Sequence, residues 1–267
     1  MSKKIWAMYF SATGTTEKIV TSVANDLAAR EGGKAEVYDF TLPAAREGQP
    51  EFGPDDVVVF GVPTYAGRIP NLLLKYVSSV QGGGALAVPV VLYGNRNYDD
   101  SLMELRNVME GNGFHTIAGA AFIGEHSFSK ILAAGRPDDK DMAIAKDFAA
   151  KIILEDRGPI QVKGEEPIRD YYKPRDREGN FLNILKVKPL TSDACNGCGI
   201  CAKVCPMGSI DPADPKVVAG KCIKCCACEK KCPVGAKYFD DQVYLTHKII
   251  LEEDYTRRAE PEIFVYE

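Results

Sequence analysis

Eight of the nine cysteines stand in two copies of one pattern: Cys195-x2-Cys198-x2-Cys201-x3-Cys205-Pro206 and Cys222-x2-Cys225-x2-Cys228-x3-Cys232-Pro233. Three thiolates at x2 spacing can wrap a compact loop around three irons of a cubane. The fourth cysteine, followed by proline, lies too far along the chain to close the same loop comfortably. A structural zinc ribbon needs only two cysteine pairs per ion. It leaves the third cysteine of each run, the x3 spacing and both prolines unexplained. The pattern therefore predicts iron–sulfur clusters. The ninth cysteine, Cys226, adjoins Cys225, fits neither x2 position and reads as a bystander thiol.

The segment resembles a bacterial two-[4Fe-4S] ferredoxin, with Pro-Met-Gly-Ser-Ile after the first run and Pro-Val-Gly-Ala after the second, as in that family's half-repeats. The resemblance implies crossed ligation. Cys195, Cys198, Cys201 and Cys232 would hold one cluster, and Cys222, Cys225, Cys228 and Cys205 the other. An internal repeat with pseudo-twofold symmetry follows from that crossing.

A cluster domain of this kind needs only some fifty or sixty residues, so a chain of 267 leaves room for a conventional core in front of it. The composition is ordinary for a globular protein, with 45% hydrophobic and 26% charged residues. A net charge of −4 supplies no basic field for nucleic acid and no polybasic stretch for a membrane surface. The best apolar run, Ala85 to Tyr93, contains Pro89 and is strand-length. Lys3-Lys4 followed by Ile5 to Phe10 is short, lacks a cleavage site and enters a Ser/Thr/Gly loop, so it reads as a buried first strand and not a signal peptide. Cysteines devoted to clusters fit a reducing compartment, and the expectation is a cytoplasmic protein of an anaerobe.

Residues 1–157 alternate short apolar runs with amphipathic ones. Ile5–Phe10, Ala35–Phe40, Val57–Gly61, Val88–Tyr93 and Ile117–Ile123 read as strands; Thr15–Arg30, Asn71–Val80, Ser101–Gly111 and Asp139–Asp156 read as helices. This predicts an α/β fold, a doubly wound five-stranded parallel sheet with ligands at the carboxyl ends of its strands, followed by a smaller α+β domain. Three loops fall at those ends. Ser11-Ala12-Thr13-Gly14-Thr15-Thr16 opens the first helix with small residues, four hydroxyls and free N–H groups, a neutral cradle for a dianionic phosphate. It lacks the lysine of a Walker loop and is no GxGxxG. Gly61-Val62-Pro63-Thr64-Tyr65-Ala66-Gly67-Arg68 and Gly94-Asn95-Arg96-Asn97-Tyr98-Asp99-Asp100 each place one aromatic in a loop, as sandwiching a flat ring would require.

The first loop resembles the FMN-phosphate loop of flavodoxins, T/S-x-T-G-x-T, with Ser11, Thr13, Gly14, Thr15 and Thr16 at matching places. The wording of the other two loops resembles flavodoxin-like domains fused to a two-cluster ferredoxin, a likeness that spans the chain. It implies FMN beside two [4Fe-4S] clusters, with Pro63, Thr64, Tyr65, Ala66, Gly67, Arg68, Gly94, Asn95, Arg96, Asn97, Tyr98 and Asp99 around the ring. Arg68 and Arg96, opposed mainly by Asp99 and Asp100, would favour the negative charge of reduced flavin. Gly67 can reach positive φ, so the Ala66–Gly67 peptide could turn its carbonyl toward a protonated flavin N5. His126, after the fifth strand, is the candidate catalytic proton donor.

Residues 158–189 form a proline-punctuated linker with the run Arg169 to Arg177, read as docked on the domains; 190–240 carry the clusters; 241–267 form a tail packing as a helix and an extended end. Fusion keeps one redox centre at high effective concentration beside another. Two functions remain open: a relay between clusters and FMN serving redox partner proteins, or an FMN-dependent reductase of a small molecule fed through its own clusters. An exposed flavin edge marks the first; a flavin roofed by the linker, with Arg68, Arg96 or His126 lining a pocket, marks the second.

Overall fold

A computed structural model describes residues 2–267. Its first part runs β1 (Lys4–Tyr9), α1 (Thr15–Arg30), β2 (Glu36–Asp39), a 3-10 turn (Pro43–Arg46), β3 (Asp56–Pro63), α2 (Asn71–Val77), β4 (Leu86–Tyr93), α3 (Ser101–Gly111), β5 (His115–Thr116), β6 (Gly119–Ile123) and α4 (Asp139–Lys151). Strands β2, β1, β3, β4 and β6 lie side by side and parallel. Counting β5 and β6 as one interrupted strand, this is the 2-1-3-4-5 order of the flavodoxin-like fold. Strand β4 is buried along its whole length, which its unbroken apolar run anticipates for the middle of a parallel sheet. Pro89 offers no N–H, and the neighbouring strand breaks into β5 and β6 beside it.

Helix α1 buries Ile19, Val20, Val23, Ala24 and Leu27, a helical stripe, against β1 and β3. Helix α4 begins on a capping box, the Asp138 side chain accepting from the Lys140 and Asp141 N–H groups while Asp141 returns a bond to the Asp138 N–H. It ends at Lys151, and α2 ends at Val77, both earlier than their periodicity predicts.

The cluster segment contains β7 (Leu190–Thr191), α5 (Ile200–Lys203), α6 (Ala227–Lys230) and β8 (Lys237–Tyr238), the two strands pairing antiparallel. The tail supplies α7 (Gln242–Asp254) and β9 (Glu262–Phe264). Strand β9 pairs antiparallel with β6, so the sheet is wider than the five parallel strands expected. Every residue of β6 is buried, and such a strand cannot stand as an open edge. The chain thus leaves the first part, builds the cluster segment and returns to close the sheet it left. Among the described residues no helix is long and apolar enough to cross a membrane.

Candidate functional site

The eight patterned cysteines surround two cavities. One, of about 300 Å³, is lined by Cys195, Cys198, Cys201 and Cys232. The other, a recess of about 360 Å³ open to solvent, is lined by Cys205, Cys222, Cys225 and Cys228, with Cys226 also on its wall. Each fourth cysteine reaches into the cavity of the opposite run. No cysteine is in a disulfide. Among the described residues, no three His, Cys, Asp or Glu side chains converge on a single-ion site. Four thiols around a wider cavity are a donor set that fits a cubane cluster. Backbone N–H groups reach three of the sulfurs: Ser209 to Cys205 at 3.4 Å, Ala236 to Cys232 at 3.2 Å and Lys224 to Cys222 at 3.4 Å.

The cavities differ in surroundings. Cys198 is exposed, whereas Cys225 and Cys228 are buried. Burial pushes the Cys225 thiol up to about 12, so iron must displace a tightly held proton there. Cys225 and Ala227 belong to the main apolar core of the first part, against which Tyr65, Val204 and Ile223 also pack. Two cations clasp this second cavity to the sheet. The Arg46 guanidinium donates to the Phe40, Thr41 and Pro206 carbonyls. The Lys230 ammonium donates to Glu125 and to the carbonyls of His126 (2.8 Å) and Ser129 (3.2 Å). Cys226 is 2% exposed, its Sγ 3.5 Å from the Tyr244 hydroxyl, packed among Val187, Phe239 and Tyr244.

At the carboxyl ends of the strands, Gly14 takes φ 90° ahead of α1. The Ser11 hydroxyl accepts from the Glu17 N–H at 3.0 Å, and the Ser11 N–H donates to Thr41. Among the described residues, the N–H groups of Thr13, Gly14, Thr15 and Thr16 have no acceptor. Free donors at a helix N-terminus fit a phosphate. Thr16 itself is 1% exposed, so its side chain lies in the core and not at the surface of the loop.

Tyr65-Ala66-Gly67-Arg68 close a tight turn through reciprocal Tyr65–Arg68 backbone bonds, with φ positive at both Ala66 and Gly67. Gly67 is packed against the next loop, since a Cβ there would lie 2.2 Å from Asp99 Oδ2. The Ala66 carbonyl accepts from the Tyr172 N–H at 2.8 Å, so the linker already holds the peptide whose reorientation the sequence suggests. Tyr65 is half-buried, and burial, reinforced by the Cys225, Cys226 and Cys222 thiols, holds its phenol well above the ordinary value.

Other expected ring residues are placed elsewhere. Tyr98 is 1% exposed, packed against Tyr93 with its hydroxyl donating to Glu262 of the tail at 2.9 Å, so it is a core residue and not a ring-stacking one. The Asn95 amide donates to the Tyr255 and Arg257 carbonyls and accepts from the Ala259 N–H. It pins the tail. Arg68 is paired with Glu104 and not with Asp100, and its guanidinium lies over the Tyr171 ring. Arg96 pairs with Asp99 and lies 4.1 Å over the Tyr172 ring. Neither arginine brings an uncompensated charge, which weakens the expected effect on flavin reduction. Pro63 ends β3, Thr64 donates to the Ser101 hydroxyl at 2.9 Å, Asn97 is exposed and Gly94 is half-buried against His126.

Asp100 is fully buried and accepts from the Arg169 guanidinium and from the Glu165 and Arg169 N–H groups. These bonds, the Arg169 side chain foremost, hold its carboxyl down at about 2. With the Tyr171 hydroxyl donating to the Ile69 carbonyl at 2.8 Å, they fix residues 165–172 across both ring loops. His126, the expected proton donor, lies at the carboxyl end of β6 beside the loop at Gly94. Burial, then His247, Lys230 and Arg96, push it down to about 3, and its Nδ1 accepts from the Phe128 N–H at 3.1 Å. Sequence reasoning missed His247, Arg169 and Lys230 as site neighbours. The paired tyrosines of the linker were the available signal.

Residues 189–241 match the model of the 4Fe-4S dicluster domain family. No curated protein matches the chain. Among solved structures, the first part is similar to flavodoxin 1 from Bacillus cereus, at 17% identity over 55% of this chain and 95% of that one, with a TM-score of 0.40. It is similar to a Streptococcus pneumonia TIGR4 flavodoxin, at 18% identity over 54% and 94%, TM-score 0.38. An NADH:FMN oxidoreductase is similar at 18% identity over 59% and 94%, TM-score 0.40. Likeness at this level adds nothing to the fold assignment, which rests on the strand order.

Proposed function

We propose that this chain, a flavodoxin-like fold joined to a 4Fe-4S dicluster segment, is an iron–sulfur flavoprotein that passes electrons between two [4Fe-4S] clusters and an FMN. The observation that carries the reading is the position of Tyr65: it sits in a ring loop and packs in the same apolar core as Cys225 of the inner cavity. Cys198 of the outer cavity is exposed, which leaves that side for docking of a redox partner protein. The order outer cluster, inner cluster, FMN follows from that arrangement.

When bound, the clusters exchange single electrons and FMN takes one or two. The chain's own residues do the rest. The Thr13, Gly14, Thr15 and Thr16 N–H groups would receive the phosphate. Tyr65 and the Ala66–Gly67 turn would meet the ring, and Arg46 and Lys230 hold the inner cysteine loop against the sheet. The N–H groups of Ser209, Lys224 and Ala236, donated to the Cys205, Cys222 and Cys232 sulfurs, would favour the more negative reduced clusters.

A second reading, a terminal FMN-dependent reductase of a small molecule, is favoured by one observation. Residues 165–172 cover the ring loops, with Tyr172 bonded to Ala66 and Tyr171 to Ile69. An anaerobic reductive titration, following flavin absorbance and cluster EPR together, tests both. One-electron flavin reduction in step with the clusters supports the relay. Direct two-electron reduction above the cluster potentials supports the terminal reductase. Failure of the protein to retain FMN at all would sink either version.

A further inference from the structure

We infer that His126 and His247 form a recognition site for a carbonyl-type oxygen at the rim of the ring loops. The inference rests on the flavin reading proposed above and names what the neighbouring imidazoles would do there.

His126 follows β6, and its ring edge lies against Gly94, where a Cβ would stand 2.3 Å from His126 Cδ2. Gly94 opens the loop 94–100, so the imidazole borders that loop directly. Nδ1 accepts from the Phe128 N–H at 3.1 Å, and an accepting nitrogen carries no proton. The neutral ring must therefore hold its proton on Nε2. Among the described residues that Nε2–H has no acceptor, and the residue is half-buried. His247 enters from α7. It is 7% exposed, and its Nδ1 is buried without a partner. Phe128 meets both imidazoles edge-on, 5.2 Å from His126 and 6.1 Å from His247 by ring centroids. Tyr172 lies 6.4 Å from His247 and under the Arg96 guanidinium.

The charges facing this group are Arg96, paired with Asp99, and Lys230, paired with Glu125. Both imidazoles are held neutral, burial being the first cause and Arg96 a further one for each. A neutral imidazole cannot act as a strong acid, but its N–H is a fixed donor. An orphaned buried nitrogen is costly unless a ligand completes it. Aromatic walls, one unpartnered N–H and nearby cations suit a flat molecule carrying a carbonyl or carboxylate oxygen. Two sources supply that chemistry: a ring carbonyl of the flavin itself, or a separate small molecule seated beside it.

The chain has only three histidines, which makes the test clean. The third, His115, is 47% exposed and paired with Asp156, and serves as an internal control. The cluster-loaded protein is labelled with imidazole nitrogen-15 and followed by NMR at neutral pH. FMN is added first, then benzoate as a carboxylate probe, with FMN binding read separately from quenching of its fluorescence. The inference expects a neutral Nε2–H tautomer at His126 and shifts of both His126 and His247, with His115 unmoved. Shifts on FMN alone assign the oxygen to the flavin; shifts only on benzoate assign it to a second molecule. His126→Gln, which keeps a donor, should weaken the binding that moves His247 less than about threefold, and His126→Phe about tenfold or more. An Nδ1–H tautomer, or histidines unmoved by both bound FMN and benzoate, overturns the inference while leaving the flavin reading intact. Absence of FMN binding sinks that reading on its own, and the benzoate arm still decides this one.

Discussion

The two cysteine runs share their spacing and differ in the residues between. In the first, the positions two residues after Cys195 and one after Cys198 are Gly197 and Gly199, both at positive φ. In the second, the equivalent positions are Lys224 and Cys226, held at the same backbone angles despite their side chains. A non-glycine residue in that region costs about 1 to 3 kcal/mol. Both side chains are engaged. Lys224 donates to the Leu185 and Cys222 carbonyls, and Cys226 fills the core between Phe239 and Tyr244. In one half glycines take the left-handed angles without cost and Cys198 is exposed, although Cys201 is buried; the other half is strained and held in place by packing. Identical ligand chemistry is thereby given two environments, and the difference teaches that the inner half is built to be fixed against the sheet.

Ligand replacement breaks the comparison most severely. Cys205→Ser should remove the inner cluster and Cys232→Ser the outer one, each losing about half the iron. The opposite assignment by EPR would overturn the crossing of the runs. Cys205→Ser should also stop cluster-driven flavin reduction, whereas Cys198→Ser should leave the inner cluster in place.

Next comes the contact between inner cavity and ring loop. Tyr65→Leu should leave iron content unchanged and slow flavin reduction by way of the clusters about tenfold, read by stopped flow; an unchanged rate removes Tyr65 from the path. Smaller still is the linker anchor. Arg169→Ala should cost about 1 to 2 kcal/mol and expose residues 165–172 to proteolysis. Because the Asp100 carboxyl is depressed from 3.8 to about 2, its stabilisation is fully present above pH 3.8 and is lost as pH falls toward 2. Limited proteolysis across that window should show the linker released at the acid end, and Asp100→Asn should abolish the dependence. The smallest effect is expected at Cys226→Gly. Relief of backbone strain offsets lost packing, so stability should change by about 1 kcal/mol or less, with iron unchanged. Loss of iron would make Cys226 a ligand.

Features carried by short-range pattern were readable in the chain. The bounds of α1 and α3 coincide with the sequence reading; α1 buries one regular stripe, whereas the first turn of α3 is buried on all sides. The parallel, doubly wound sheet follows from the alternation of strands and helices. What was not readable depends on contacts far apart in sequence. Tyr98 looks like a loop aromatic until Glu262 returns to accept its proton, and Asn95 looks like a ring residue until Tyr255 and Arg257 arrive. Glu104 has the unremarkable signature of a helix surface residue, yet it is 5% exposed and neutralises Arg68. The extended end of the tail was readable from its apolar residues, but its pairing as Glu262–Phe264 with the edge of a sheet begun at residue 4 was not.

That returning strand has a consequence for how the protein is made. On the ribosome, β1 to β6 emerge complete, but the loop held by Asn95 has no partner until residues 255–259 are synthesised, and β6 stays uncovered until β9 follows. The cluster segment lies between, so it leaves the tunnel before the sheet can close. The loop at Asn95 and the edge at β6 are therefore the last parts of the sheet to set, after the cluster segment has already emerged.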